Sequence, residues 1–368
     1  MSATVSPTEA RPEVALVTGF PRLIARGLVI RALNLDPRHR VHLLVEPADA
    51  DEAERFLAEL PADRRDRVAV AHGSPGAVDL GLGGAEVRRL QEEVTLVFHA
   101  GHAPRDARRT TRSDARRLET VLGFAAELPR LRRVAVFSTA FVSGDRSGVI
   151  REEELDRGQR LRTPFERRMF AVEQLARAWM PRLPITVLRP SAMIGHSRTG
   201  EAGGLTEGPH YLMSLMVRLP SEMPVLLPGT GVVPFNIVPI DYVVRAAWAL
   251  AVHPAAARRT FHLTDPNPIS ARKAFDLLAA RINRPAPFAG RLATGALAPL
   301  LRFSGLRRLS PARFALFEDL TTHVTYRCAG TLSLLADSGV VCPPFESYAD
   351  TLVAWLAAFE RERRGDAA

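Results

Sequence analysis

The sequence predicts an α/β fold: a doubly wound parallel sheet with helices on both faces, joined to a smaller, mostly helical C-terminal region that covers the substrate side. Three observations carry this. Short β-branched and bulky apolar runs alternate with amphipathic stretches through the first two-thirds of the chain, the pattern of strands buried on both faces and linked by helical crossovers. A glycine-bearing turn, Thr18-Gly19-Phe20-Pro21-Arg22, follows the first run and opens a helix. Beyond Pro190 the alternation loosens into Pro- and Gly-rich loops, Ser197 to Pro209 and Leu219 to Val238, with separate helical patterns.

The elements fall in order. Val14 to Thr18 is the first strand and Leu23 to Leu35 the first helix; Val41 to Val45, Ala50 to Leu60 and Val68 to Ala71 repeat the unit. Ala85 to Glu92 leads into a fourth strand, Val94 to Phe98, and Asp114 to Ala126 into a fifth, Arg133 to Phe137. Phe165 to Trp179 precedes the sixth, Ile185 to Leu188. Each strand is rich in Val, Ile, Leu or Phe, which suit a pleated surface buried on both sides. Later helices fit Pro239 to Val252, Ala271 to Ala280, Pro311 to Leu320 and Tyr348 to Arg361. The division expected is a dinucleotide-binding region over 1–190 and a covering region over 191–368 folded onto the same sheet, with Leu292 to Phe317 an ordinary helical cover.

Composition narrows the function. The 368 residues are 46% hydrophobic and 24% charged, which excludes a mostly disordered chain. Net charge is +9, yet Lys273 is the sole lysine, so chemistry that needs a lysine must use it. The arginines lie beside Asp and Glu in helical stretches such as 51–67 and 151–162, as on a solvated surface. The densest run, Arg105 to Arg117, has no aromatic residues interleaved for base stacking, so no nucleic-acid partner is expected. Met1 to Glu13 is polar, and no stretch of ~18 apolar residues occurs, which predicts a cytoplasmic protein without integral membrane association. Cys328 and Cys342 are too few and too far apart for a zinc site, and the ten histidines lack metal-ligand spacing; neither metal nor structural disulfide is expected.

The turn after the first strand resembles that of the extended short-chain dehydrogenase/reductases, in their thioester-reductase or male-sterility-like branch. The resemblance covers nearly the whole chain, through Val94 to Ala100, Ser138-Thr139-Ala140-Phe141, Leu188-Arg189-Pro190-Ser191, Ser197 to Glu201, Gly208 to Tyr211, Ile240 to Val243, Phe261 to Pro266 and Cys342 to Phe345. It implies a Rossmann-type sheet and a cofactor site at Thr18, Gly19, Phe20, Arg22, Leu23, Glu46, His99, Ala100 and Pro190, with a substrate pocket at Thr139, Ala140, Ser191, Met193 and Tyr211. The family turn reads Thr-Gly-x-x-Gly-x-x-Gly; here Arg22 and Ala25 replace the second and third glycines. Arg22 must swing away from the pyrophosphate position or occupy it. Glu46 ends the second strand, where an acid would bond a ribose diol and disfavour the extra phosphate of NADP, pointing to NAD.

The family's reaction is NAD(P)-dependent hydride transfer, in which a tyrosine is the general acid, a lysine four residues on lowers its pKa and holds the ribose, and a serine and an asparagine complete the site. The matching segment here is Pro164-Phe165-Glu166-Arg167-Arg168-Met169: Phe165 stands at the tyrosine position and Met169 at the lysine position. A phenyl ring has no titratable proton, and a thioether has no charge with which to tune one. The asparagine position falls at Asp114, so Ser138 alone is retained. Two apolar replacements together suit a repacked pocket. The expectation is a catalytically silent member that binds NAD weakly or not at all. It would act as a ligand-binding or partner subunit for a hydrophobic or acyl-type small molecule, as a homodimer or with an active relative. The alternatives are a non-redox isomerase, dehydratase or cyclase using Ser138, Asp114 or a histidine, and a residual NAD(P)-dependent acyl thioester or carbonyl reductase. His99 and His102 close the fourth strand, where His99 is expected to be a satisfied structural histidine.

Overall fold

The chain is described from a computed structural model covering residues 12–101, 111–202, 213–214, 216–217, 226–228, 231–283, 288–290, 320 and 322–365. Its elements begin β1 (Val14–Thr18), α1 (Leu23–Leu35), β2 (Arg40–Val45), α2 (Ala50–Ala58), α3 (Ala62–Arg65) and β3 (Val68–His72). α4 (Gly84–Glu93), β4 (Leu96–His99), α5 (Thr111–Ala126), β5 (Arg133–Phe137), β6 (Gly148–Ile150), α6 (Pro164–Trp179) and β7 (Ile185–Pro190) follow. Then come β8 (Ala192–Met193), β9 (Leu226–Pro228), β10 (Ile237–Val238), α7 (Ile240–Val252), β11 (Arg259–Leu263) and α8 (Ala271–Arg281). β12 (Phe288–Gly290), β13 (Val324–Tyr326), α9 (Ala329–Leu335) and α10 (Ala349–Gly365) complete the described elements.

Seven strands form one sheet in the order β11-β7-β5-β4-β1-β2-β3. The pairings from β3 through β2, β1 and β4 to β5 are parallel. Ala15, Leu16 and Val17 of β1 are fully buried, as a strand covered on both faces requires. β11 was not among the six strands read from the sequence. Its Arg259-Thr260 start lacks the apolar run that marked the others. Three two-stranded sheets, β10-β8, β12-β9 and β13-β6, add strand to the later region.

The chain forms two compact units. The first comprises Met1–Phe137, Leu175–Thr186 and Ala251–Arg258; the second comprises Ser138–Gln174, Val187–Leu250 and Arg259–Ala368. The first unit breaks off at Phe137/Ser138, and two later segments return to it. In the first unit α1 buries Ile24, Ala25, Leu28, Val29, Ala32 and Leu33, a stripe at helical spacing. In the second, Ile194, Phe235, Phe275, Leu278, Phe345 and Leu352 share one core, with the Phe235 and Phe275 rings 5.4 Å apart.

Local chemistry sets the start of α6, which carries the two replaced positions. The Thr163 hydroxyl accepts the Glu166 backbone N–H at 3.0 Å, the Glu166 carboxylate reaches back to the Arg162 N–H at 2.6 Å, and Pro164 takes the first helical position. The hydroxyl half is that of a capping box, the carboxylate instead bonding the residue before the cap, and proline stands where its missing N–H costs nothing. The capping carboxyl is itself buried, and burial raises its pKa above the ordinary glutamate value.

Candidate active site

In the first unit, the parallel register of β1 and β4 sets Thr18 opposite His99, and the Thr18 hydroxyl lies 2.9 Å from His99 Nδ1. Burial drives the His99 pKa from 6.5 down to about 3, with the positive charge of Arg117 adding to it. The ring is therefore neutral at ordinary pH and bonded, which withdraws it from acid-base work. Gly19 has φ +97, and a Cβ there would stand 2.6 Å from the Ala100 carbonyl atoms. Only glycine lets this turn pass so close over the end of β4. Phe20 is buried against Phe56 at 5.7 Å, and the Arg26 guanidinium lies over both rings.

Arg22 caps α1 with φ −64, an extended conformation that makes no demand for glycine; its N–H donates to the Gly19 carbonyl at 3.2 Å and its side chain is exposed. The backbone at the second-glycine position is thus one that arginine adopts without strain. Leu23 opens the helix, whose first backbone N–H groups have no intrahelical partner. Glu46, just past β2, is not a lone carboxylate: Arg117 of α5 donates to its Oε1, and the Ser74 hydroxyl lies 3.5 Å from its Oε2. Asp114 is buried in the first turn of α5, one turn before Arg117.

In the second unit, Ser138 follows β5 and donates its hydroxyl proton to Glu173 Oε2 at 2.8 Å. Arg189 of β7 holds the same carboxylate with two bonds, Nε to Oε2 at 2.9 Å and Nη2 to Oε1 at 2.7 Å. Its remaining hydrogens go to the Glu154 carbonyl at 2.6 Å, the Glu152 carbonyl at 3.4 Å and His262 Nε2 at 3.2 Å. The five guanidinium N–H groups thus face five acceptors. His262 Nδ1 donates to the Arg327 carbonyl at 2.9 Å, which fixes the tautomer that leaves Nε2 as acceptor. Glu173, Arg189 and His262 are all essentially inaccessible to solvent. Such burial is sustained only when every charge is paired.

Beside this network, the Glu152 carboxylate accepts the N–H of His262 at 3.0 Å, of Gly330 at 2.8 Å and of Thr331 at 3.2 Å, and the Thr331 hydroxyl at 2.7 Å. A Cβ on residue 330 would meet Glu152 Oε2 at 2.5 Å.

The other expected positions are also placed. Met169 is 0% exposed, whereas Phe165 keeps 39% of its surface, so the two do not form one sealed apolar pocket. Thr139 donates to the Pro190 carbonyl at 3.3 Å and caps the turn that carries buried Ala140. The buried Ser191 donates its N–H to the Leu263 carbonyl at 3.3 Å, and Met193 of β8 pairs with Val238. Tyr211, His102 and Leu292 to Phe317 lie outside the described residues. The site residues therefore divide, with the turn, Glu46, His99 and Asp114 in the first unit and Ser138, Thr139, Phe165, Met169, Pro190, Ser191 and Met193 in the second. The sequence reading did not single out Glu173, and the signals for it are two. Glu173 repeats the four-residue step from Phe165 and Met169, and an arginine sits in the otherwise apolar strand Ile185–Pro190, where it needs a buried partner.

The sheet order and the glycine turn between β1 and α1 define the class: a Rossmann-type α/β protein of the dinucleotide-binding kind. The family model described as male sterility protein matches residues 17–247. The chain belongs to that family, the thioester-reductase branch of the extended short-chain dehydrogenase/reductases. Among solved structures it is similar to the terminal R domain from the myxalamid PKS-NRPS biosynthetic pathway, at 22% identity and TM-score 0.77 over 96% of this chain and 93% of that one. It is also similar to the reductase (R) domain of a nonribosomal peptide synthetase from Mycobacterium tuberculosis, at 19% identity and TM-score 0.70 over 95% and 92%. The UDP-glucuronic acid 4-epimerase from Bacillus cereus in complex with NAD matches at 16% identity and TM-score 0.67 over 95% and 98%. Comparison with curated proteins finds no match. Among the described residues no helix is long and apolar enough to cross a membrane, and no cluster of three or more His, Cys, Asp or Glu could hold a metal ion.

Proposed function

We propose that this chain is a reductase-fold protein that has lost efficient hydride transfer and serves in the cytoplasm as a ligand-binding or partner subunit, as a homodimer or with an active relative. The observation that carries the reading is the pair Phe165 and Met169, at the positions where the family places its tyrosine and lysine. Phe165 has no proton to give, and Met169, wholly buried, neither carries the charge that tunes such a proton nor holds a ribose. The remaining hydroxyl, Ser138, directs its proton to Glu173, which weakens its claim to polarise a substrate carbonyl. His99, neutral and bonded to Thr18, gives little support to non-redox acid-base chemistry. The ligand we propose is a hydrophobic or acyl-type small molecule, the class that membership of the thioester-reductase branch suggests.

The turn still fits a dinucleotide. Gly19 keeps the close passage over Ala100, and Arg22, exposed at the cap of α1, adds a cation at the helix start. Gly19, Arg22 and Leu23 would hold the diphosphate, with Glu46 and Arg117 at the adenosine ribose. A bound NAD(P)H would supply hydride. The lysine with which the family holds the ribose is replaced by Met169, so binding is expected to be weak. The test is NADH and NADPH oxidation by the native chain with acyl thioesters and aldehydes, beside titration of both dinucleotides. Absence of turnover with dissociation constants near millimolar, about −4 kcal/mol, supports the silent reading. Substrate-dependent oxidation by the native chain refutes it and favours a residual reductase.

A further inference from the structure

We draw no further inference here: the strongest candidate, the polar cluster of Ser191, Thr264, Tyr242, Cys328 and Cys342 in the second unit, carries nothing because only pKa shifts draw the two thiols and Tyr242 together, and the Ser191 and Thr264 hydroxyls are closed to solvent and hence to a ligand.

Discussion

Replacing Met169 by lysine, the step that would restore the family's cation, places an ammonium on a helix position with 0% exposure. A lysine buried to this degree titrates near ~6 rather than ~10.4. Keeping it neutral at pH 7 costs about 1.36 kcal/mol for each unit between 7 and 10.4, or ~4 to 5 kcal/mol. The sign follows from linkage. The folded-state pKa lies below the unfolded value, the unfolded chain binds the extra proton, and stability rises with pH through the window from ~6 to ~10. Phe165→Tyr is expected to stay within ~0.5 kcal/mol, because that ring is 39% exposed. Urea unfolding at pH 7 and pH 10 separates the two: Met169→Lys should lose most of its midpoint at pH 7 and regain much of it at pH 10, while Phe165→Tyr should match the parent at both. A loss below ~1 kcal/mol at pH 7 would mean that position 169 opens on a space prepared for a cation, and the argument from burial would be wrong. The double variant tests catalytic rescue only where it is shown to be folded.

Other perturbations have equally definite signs. Gly19→Ala drives a Cβ into the Ala100 carbonyl at a φ of +97 and should cost ~2 kcal/mol or more, read as a lower denaturation midpoint together with weaker dinucleotide binding. Glu173→Ala strands Arg189 in the interior and should cost ~3 to 5 kcal/mol, whereas Ser138→Ala leaves that ion pair standing and should cost ~1 to 2; equal losses would contradict the network's arrangement. Because His99 is depressed from 6.5 to about 3 by burial, stability should be full above pH 6.5 and fall as acid is added towards pH 3. His99→Gln should flatten that decline between pH 6.5 and 4, leaving the part due to His42, which burial also lowers; an unchanged slope would remove His99 from the account.

Much of the sheet was legible because strands buried on both faces carry a local signal. Val14 to Thr18 and Arg133 to Phe137 need no partner to be recognised, and the structure returns them with the same ends. Helices 23–35 and 165–179 were legible from their periodicity, and the Thr163-Pro164-Phe165-Glu166 cap moves the start of the second by one residue. β11 was hidden because its Arg259-Thr260 start breaks the apolar run and its buried His262 is bonded by an arginine of another strand, a fact that no window of eleven residues contains. The same holds at the site. Phe165 and Met169 are positions on one helix and can be read by spacing. The meaning of Glu46 depends on Arg117, and that of Ser138 on Glu173, through contacts 71 and 35 residues long. That the backbone at Arg22 is extended and its side chain exposed is likewise not written in the spacing of the turn.

The anchoring of Glu152 gives kinship a tracer independent of catalysis. Its oxygens receive only donors, so an amide there would set hydrogen against hydrogen, and an aspartate would fall a methylene short. Residue 330, in turn, can gain no side chain while that oxygen stands where its Cβ would go. The two positions should covary across descendants of this architecture, surviving together where the reacting residues have drifted.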